Sequence, residues 1–319
     1  MTDLALVVAR AVHIGAAMLL FGEMLFAFAL ARMGVGTSSG GDIHVRIRRY
    51  IGWALVASVL SWAAWLAIVA ARMTGTSLRQ AVDANTAMLV LRESEFGHWW
   101  CVRIAVLAIL AVAWSSAIRK SADDASQRRS TVLALAIVLA AVYVATLAFA
   151  GHATAANQGA SRVMHLACDA LHALAAGAWL GALPALVVLL GSTQPNAILA
   201  RGTRTFSTIG ITSVSVLLVS GIVNAWFLVG SLAALIDTAY GQLLTAKLAV
   251  FMAMLCVAAV NRLVLAPRLS NEEVTAGSLL RRNAMLEIVG GVLIVALVAA
   301  LGTMVPAAHQ SPMSMHRMH

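Results

Sequence analysis

Charge is scarce in this chain. Only 11% of its 319 residues are Asp, Glu, Lys or Arg, while 61% are apolar. A soluble domain carries about 25% charge. So few charges cannot cover so large an apolar core, which excludes a water-soluble globule and turns apolar surface toward lipid. Cysteine is scarce too: Cys101, Cys168 and Cys256 are odd in number, widely spaced and each set in an apolar run. That excludes a disulfide framework and a CxxC metal site, and the three read as small buried residues. No Pro/Gly/Ser-rich linker and no short-period repeat divides the chain. It also lacks HExxH and GxxxxGK[ST] runs, which removes metalloprotease and ATP-driven classes, and it reads as a protein that is not an enzyme.

What is present is apolar sequence in long runs. Eight stretches, at about 4–31, 50–71, 98–118, 131–150, 165–190, 206–229, 241–261 and 284–304, reach the roughly 20 residues a spanning helix needs. The expected fold is all-α, a polytopic membrane protein of eight transmembrane helices. Residues 1–305 form one membrane domain and 306–319 a tail. The first run lacks a basic leader and a small-x-small cleavage site, so it reads as an uncleaved span.

The basic excess, 22 Lys and Arg against 13 Asp and Glu, forms no continuous stripe, so nucleic acid is not the expected partner; the lipid bilayer is. One set of alternate connections holds fourteen Lys and Arg, the other only five. Cationic connections stay in the cytoplasm, which places the N-terminus and the C-terminal tail both on the outer, periplasmic side.

Ionisable groups inside spans are expensive and mark function. His13 and Glu23 fall in the first span, Arg103 in the third, Asp169 and His172 in the fifth, Asn224 in the sixth, Lys247 in the seventh and Glu287 in the eighth. Arg103 reads as snorkelling to the outer surface, and Lys247 with Glu287 as a pair joining the last two spans. The densest cluster is the hairpin from His152 to the run His165, Asp169, His172. Spacings of i, i+4 and i+7 put the last three on one helix face. His165 and His172 stand roughly 10 Å apart along the axis, too far to share one small ion. They read as a ladder: His165 with His152 across the loop, Asp169 one turn deeper, His172 deeper again.

By depth, His13 and His172 meet across the bundle. Imidazoles beside the thioethers of Met18, Met24 or Met164 suit a copper ion, Cu(I) or Cu(II), with Asp169 fixing a ring tautomer. Glu23, below His13, reads as the next step of an inward path. The tail offers His309, Met313, Met315, His316, Met318 and His319 for copper capture. The same two histidines at equal depth also fit the axial ligands of a b-type haem, which makes a bis-His electron-transfer protein the alternative.

The run from His165 through Asp169, His172, Gly177 and Trp179 to Gly181 resembles the signature helix of the CopD/PcoD family of copper-resistance membrane proteins. Supporting matches follow at Glu95-Phe96-Gly97 with Trp100 and Arg103, Gly151-His152, Ser220-Gly221 with Asn224, Tyr240-Gly241 with Lys247, Asn261-Arg262 with Pro267, and Arg281-Arg282 with Glu287. The resemblance covers about residues 95–305; the N-terminal quarter matches loosely. It implies copper transport across a bacterial inner membrane, from periplasm to cytoplasm by the placing of the ligands, and a separate periplasmic CopC-type copper carrier as partner. The Met/His tail is not part of the family pattern.

Overall fold

A computed structural model describes residues 2–33, 41–119, 126–150, 159–271, 273 and 275–309. Among them the chain is all helical, and eight helices are long and apolar enough to cross a membrane. The first span is α1 (Thr2–Arg32) and the second α2 (Gly41–Thr74). Two short helices follow, α3 (Leu78–Ala81) and α4 (Ala84–Glu93), then α5 (Glu95–Arg119) and α6 (Ser126–Ala145), which tightens into a 3-10 turn at Thr146–Ala150. The fifth span is α7 (Ala160–Leu180) continued by α8 (Leu183–Leu190), and the sixth α9 (Asn196–Val229). After the short α10 (Leu232–Asp237), the seventh is α11 (Ala239–Val260), a π-turn at Asn261–Leu265 and α12 (Ala266–Ser270). The eighth is α13 (Ala276–Leu301).

Several helices begin before the apolar runs do: α9 takes in Arg201 and Arg204, and α13 takes in Arg281 and Arg282. Hydropathy marks the hydrocarbon-depth part of a helix, whereas charged side chains with long apolar stems carry it on into the interface. Two breaks have covalent causes. Pro184 gives no N–H and its ring crowds the carbonyl four residues back, so the fifth span breaks at Gly181–Ala182. Pro267 follows the π-turn of the seventh.

The first span is central. It packs on α2 and α6 in its own half and on α7 and α13 in the other. A side chain at Gly22 would strike the backbone of Gly181 and Ala182, and one at Gly181 the carbonyl of Met18. Close crossings of this kind are how membrane helices gain packing energy without a hydrophobic driving force. The outward faces are apolar, as in Val219, Ile222 and Trp226 of α9, all more than two-thirds exposed; a bilayer is the solvent that suits them. Cys101 and Cys256 are not buried as expected but lie on this outward surface, where a small, weakly polar thiol sits in lipid without a partner.

Candidate functional site

The fifth helix delivers the sequence-predicted stripe. His165, Asp169 and His172 all line one cavity of about 420 Å³, closed by α9, α11, α13 and α1. His165 is buried and stacks on Phe227, with ring centroids 4.7 Å apart. Asp169 Oδ1 accepts from Asn224 Nδ2 at 3.3 Å, and the other Asn224 atom, Oδ1, is buried without a partner among the described residues. Lys247 of α11 faces the same carboxylate and makes no hydrogen bond among the described residues. Met18 and Arg10 reach in from α1, and Tyr240 from the start of α11.

His172 is the best defined of these groups. Its Nδ1 lies 3.0 Å from Ser220 Oγ, and that hydroxyl already donates to the Val216 carbonyl at 2.6 Å. The serine proton is committed, so the network assigns Nδ1–H as donor to Ser220 and leaves Nε2 as a bare lone pair. Nε2 has no partner among the described residues. An imidazole with its far nitrogen anchored and its near one open is prepared to ligate.

His13 lies elsewhere. It is fully buried in an aromatic box of Trp65, Trp100 and Tyr143, with ring centroids at 5.6, 5.5 and 5.9 Å. Nδ1 meets Ser61 Oγ at 2.9 Å; Nε2 accepts from Arg103 Nη2 at 2.6 Å, and the Tyr143 hydroxyl is 3.3 Å away. Both ring nitrogens are engaged, and among the described residues no hydrogen bond or ring contact joins His13 to His172. The pairing expected from depth, for copper or for haem, is not brought together: equal depth fixes height in the membrane but not which helices touch.

Arg103 does not snorkel. It is fully buried, donates to Thr146 Oγ1 at 2.8 Å as well as to His13, and lies over the Trp100 and Tyr143 rings at 5.4 and 4.9 Å. Nor do Lys247 and Glu287 pair. Glu287 Oε1 accepts from Asn261 Nδ2 at 2.8 Å, Asn283 Nδ2 donates to Asn261 Oδ1 at 2.8 Å, and Glu287 Oε2 is buried without a close hydrogen bond among the described residues, the Trp179 side chain facing the carboxylate. This second group lines a separate cavity of about 250 Å³ toward the opposite end of the helices, beside Arg262 and Ser207. Trp179 lines both cavities and stands between them.

The remaining candidates scatter. Met164 is half exposed and lines neither cavity, because one residue from His165 is a 100° turn of the helix. Met24 is buried in the apolar core. Glu23 is fully buried, with the Ala185 backbone facing its carboxylate and no side-chain hydrogen bond among the described residues. His309 ends a 3-10 turn, Ala307–His309. His152, Met313, Met315, His316, Met318 and His319 lie outside the described residues. Among the described residues no three His, Cys, Asp or Glu side chains converge to hold a metal ion.

Comparison with known proteins covers most of the chain. The family model for copper resistance protein D matches residues 200–301, and that for the copper resistance protein D-like N-terminal domain matches residues 1–163. The N-terminal quarter, a loose match by motif, is therefore inside the likeness. Copper resistance protein D of Pseudomonas syringae pv. tomato is 31% identical over 91% of this chain and 93% of its own length. The copper transport protein CutJ of Bacillus subtilis is 31% identical over 69% of this chain, which is 40% of that relative. The inner membrane protein YebZ of Escherichia coli is 28% identical over 93% of this chain and 97% of its own length. No solved structure matches significantly. With a family match in each half and a relative similar almost end to end, the chain belongs to the copper resistance protein D family.

Proposed function

We propose that this protein carries copper across the bacterial inner membrane, with the cavity at His172 as its binding station. The observation that carries the reading is the open Nε2 of His172, held toward the cavity by the Ser220 hydrogen bond at 3.0 Å. The names of two relatives, a copper resistance protein and a copper transport protein, support copper as the cargo, and that of YebZ supports the inner membrane. The donor chemistry fits a soft or borderline ion in low coordination: imidazole at His172 and His165, thioether at Met18, carboxylate at Asp169 and the free Asn224 Oδ1.

In this reading copper arrives at the outer end, where His152 and the Met/His tail collect it from a periplasmic CopC-type carrier. It steps to His165, is held by His172 and Asp169, and leaves on the arginine-rich cytoplasmic face, with Glu23 as an inward step. His13 contributes to the frame of the first half. The ladder is tested by Cu(I) titration of the purified protein and its His172→Ala and Asp169→Asn variants, with copper uptake by vesicles alongside. Loss of binding and uptake in His172→Ala with normal membrane insertion supports it; unchanged affinity and uptake overturn it. A Soret band in the purified protein that disappears with His172 replaces it with the haem reading.

A further inference from the structure

The two halves of the bundle repeat one another. The first and fifth spans share His-x-x-Ala-Ala-x4-Gly, as His13, Ala16, Ala17 and Gly22 in α1 and His172, Ala175, Ala176 and Gly181 in α7. In each half the histidine Nδ1 meets a serine hydroxyl 48 residues further on, Ser61 at 2.9 Å and Ser220 at 3.0 Å. In each half that serine donates to the carbonyl four residues back, Ala57 or Val216, at 2.6 Å.

The third and seventh spans repeat as well. Ser94-x-Phe96-Gly97-x5-Arg103 matches Thr238-x-Tyr240-Gly241-x5-Lys247. The Ser94 and Thr238 hydroxyls donate to Val90 and Ala234 carbonyls at 2.6 Å and accept from Gly97 and Gly241 N–H at 2.9 Å. Even the next hydrogen bond recurs: His98 Nε2 to the Arg92 carbonyl at 2.8 Å, Gln242 Nε2 to the Ile236 carbonyl at 3.0 Å. The first three spans thus have counterparts in the fifth, sixth and seventh. Both copies start with an odd-numbered span and so run the same way, the arrangement of parallel repeats about an axis along the membrane normal. The crossing of Gly22 on Gly181 brings equivalent residues together.

The repeat makes Arg103 and Lys247 counterparts, and here the copies differ. In the first, the Arg103 guanidinium sits on His13 Nε2 at 2.6 Å and reaches Thr146 in the same plane. In the second, among the described residues, the ammonium of Lys247 makes no hydrogen bond and His172 Nε2 is open. One turn before the histidine the first copy carries Arg10 and the second Asp169. The first site therefore holds Arg103 as its fixed cation, while Arg10 reaches into the second cavity, where Asp169 supplies a carboxylate.

We propose that the two copies are two versions of one cation site: Arg103 fills the first permanently, and Lys247 leaves the second to an exchangeable metal cation at His172. A planar five-donor fork can bond His13 and Thr146 together, whereas an ammonium is a compact charge on a flexible stem that can withdraw from the ring. The chain then holds one exchangeable site, not two. The proposal rests on the reading of His172 as a copper ligand.

The test is Cu(I) stoichiometry and affinity of the full-length purified protein, measured against a competing chelator. Lys247→Arg installs on His172 the cation that closes His13, and copper affinity falls about tenfold or more. Lys247→Leu, which adds no ligand of its own, leaves the site open and lowers affinity less than Lys247→Arg does. A residue needed only for its positive charge predicts the reverse order. Arg103→Met exposes His13 Nε2 and adds a second copper, which the double variant with His13→Ala loses. Should Arg103→Met fail to fold, the Lys247 pair decides alone. Wild-type affinity in Lys247→Arg, with copper still lost in His172→Ala, overturns the proposal and spares the transport reading. Copper binding that ignores His172→Ala overturns both.

Discussion

Ser220 Oγ and His172 Nδ1 stand 3.0 Å apart, and the serine's own proton is committed to Val216 at 2.6 Å. That relay fixes both the tautomer and the pitch of the ring. Ser220→Ala removes the acceptor, so the imidazole can rotate or move its proton to the nitrogen that faces the cavity. Copper affinity is expected to fall about 10- to 100-fold, the usual effect of losing a partner that orients a ligand. Ser220→Thr keeps the hydroxyl and restores affinity. A Cu(I) competition titration reads the order; equal affinity in Ser220→Ala and wild type means that another group holds the ring.

The crossing of α1 and α7 should be the stiffest point of the bundle. Gly22 and Gly181 lie where a Cβ would meet backbone, which cannot swing aside as a side chain can. Gly22→Ala is expected to destabilise by about 1–3 kcal/mol, as overpacking does, read as an earlier thermal unfolding transition in detergent. Gly52→Ala is the control, since a Cβ there meets nothing within 4 Å. An equal response at both positions removes the argument from close approach.

Much of this was legible in the sequence, for reasons that also set the limit. Eight apolar runs became eight spans because only a closed helix satisfies its backbone in lipid. The i, i+4, i+7 spacing of His165, Asp169 and His172 put them on one cavity wall because helical period is local information. His13 was misjudged because depth is also local while helix adjacency is not: Arg103, 90 residues away, takes its Nε2. The pairing of Glu287 with Asn261 and of Lys247 with the Asp169 site lay beyond reach for the same reason. The duplication was present as spacing, but at an offset of over a hundred residues, and it becomes plain only when Ser61 and Ser220 are seen holding equivalent histidines.

Glu287 offers a test of buried charge. One carboxylate oxygen is bonded by Asn261 at 2.8 Å; the other is buried without a close hydrogen bond among the described residues, the Trp179 side chain being the polar group that faces the carboxylate. A buried group left unpaired costs roughly 1–3 kcal/mol. Glu287→Gln keeps the shape and the Asn261 bond while removing the unpaired charge, so its melting temperature should equal or exceed that of wild type. Glu287→Ala should melt earlier, since it orphans the Asn261 amide. A clear loss of stability in Glu287→Gln would mean that a cation or donor satisfies the second oxygen in the working protein.

Trp179 gives the sharpest separation of binding from passage. Its side chain is buried, touches Phe251 edge-on with centroids 6.2 Å apart, and lines both the His172 cavity and the Glu287 cavity. In the transport reading the indole stands on the direct line from His172 to the arginine-rich end. Trp179→Phe shortens the partition without emptying it, so copper affinity at His172 should hold while the uptake rate into vesicles rises. Trp179→Ala should join the cavities at a stability cost of about 3–5 kcal/mol, and its uptake has to be compared at a temperature where it remains folded. Uptake that is unchanged in Trp179→Phe, with His172 binding intact, would route the ion around the indole and not past it.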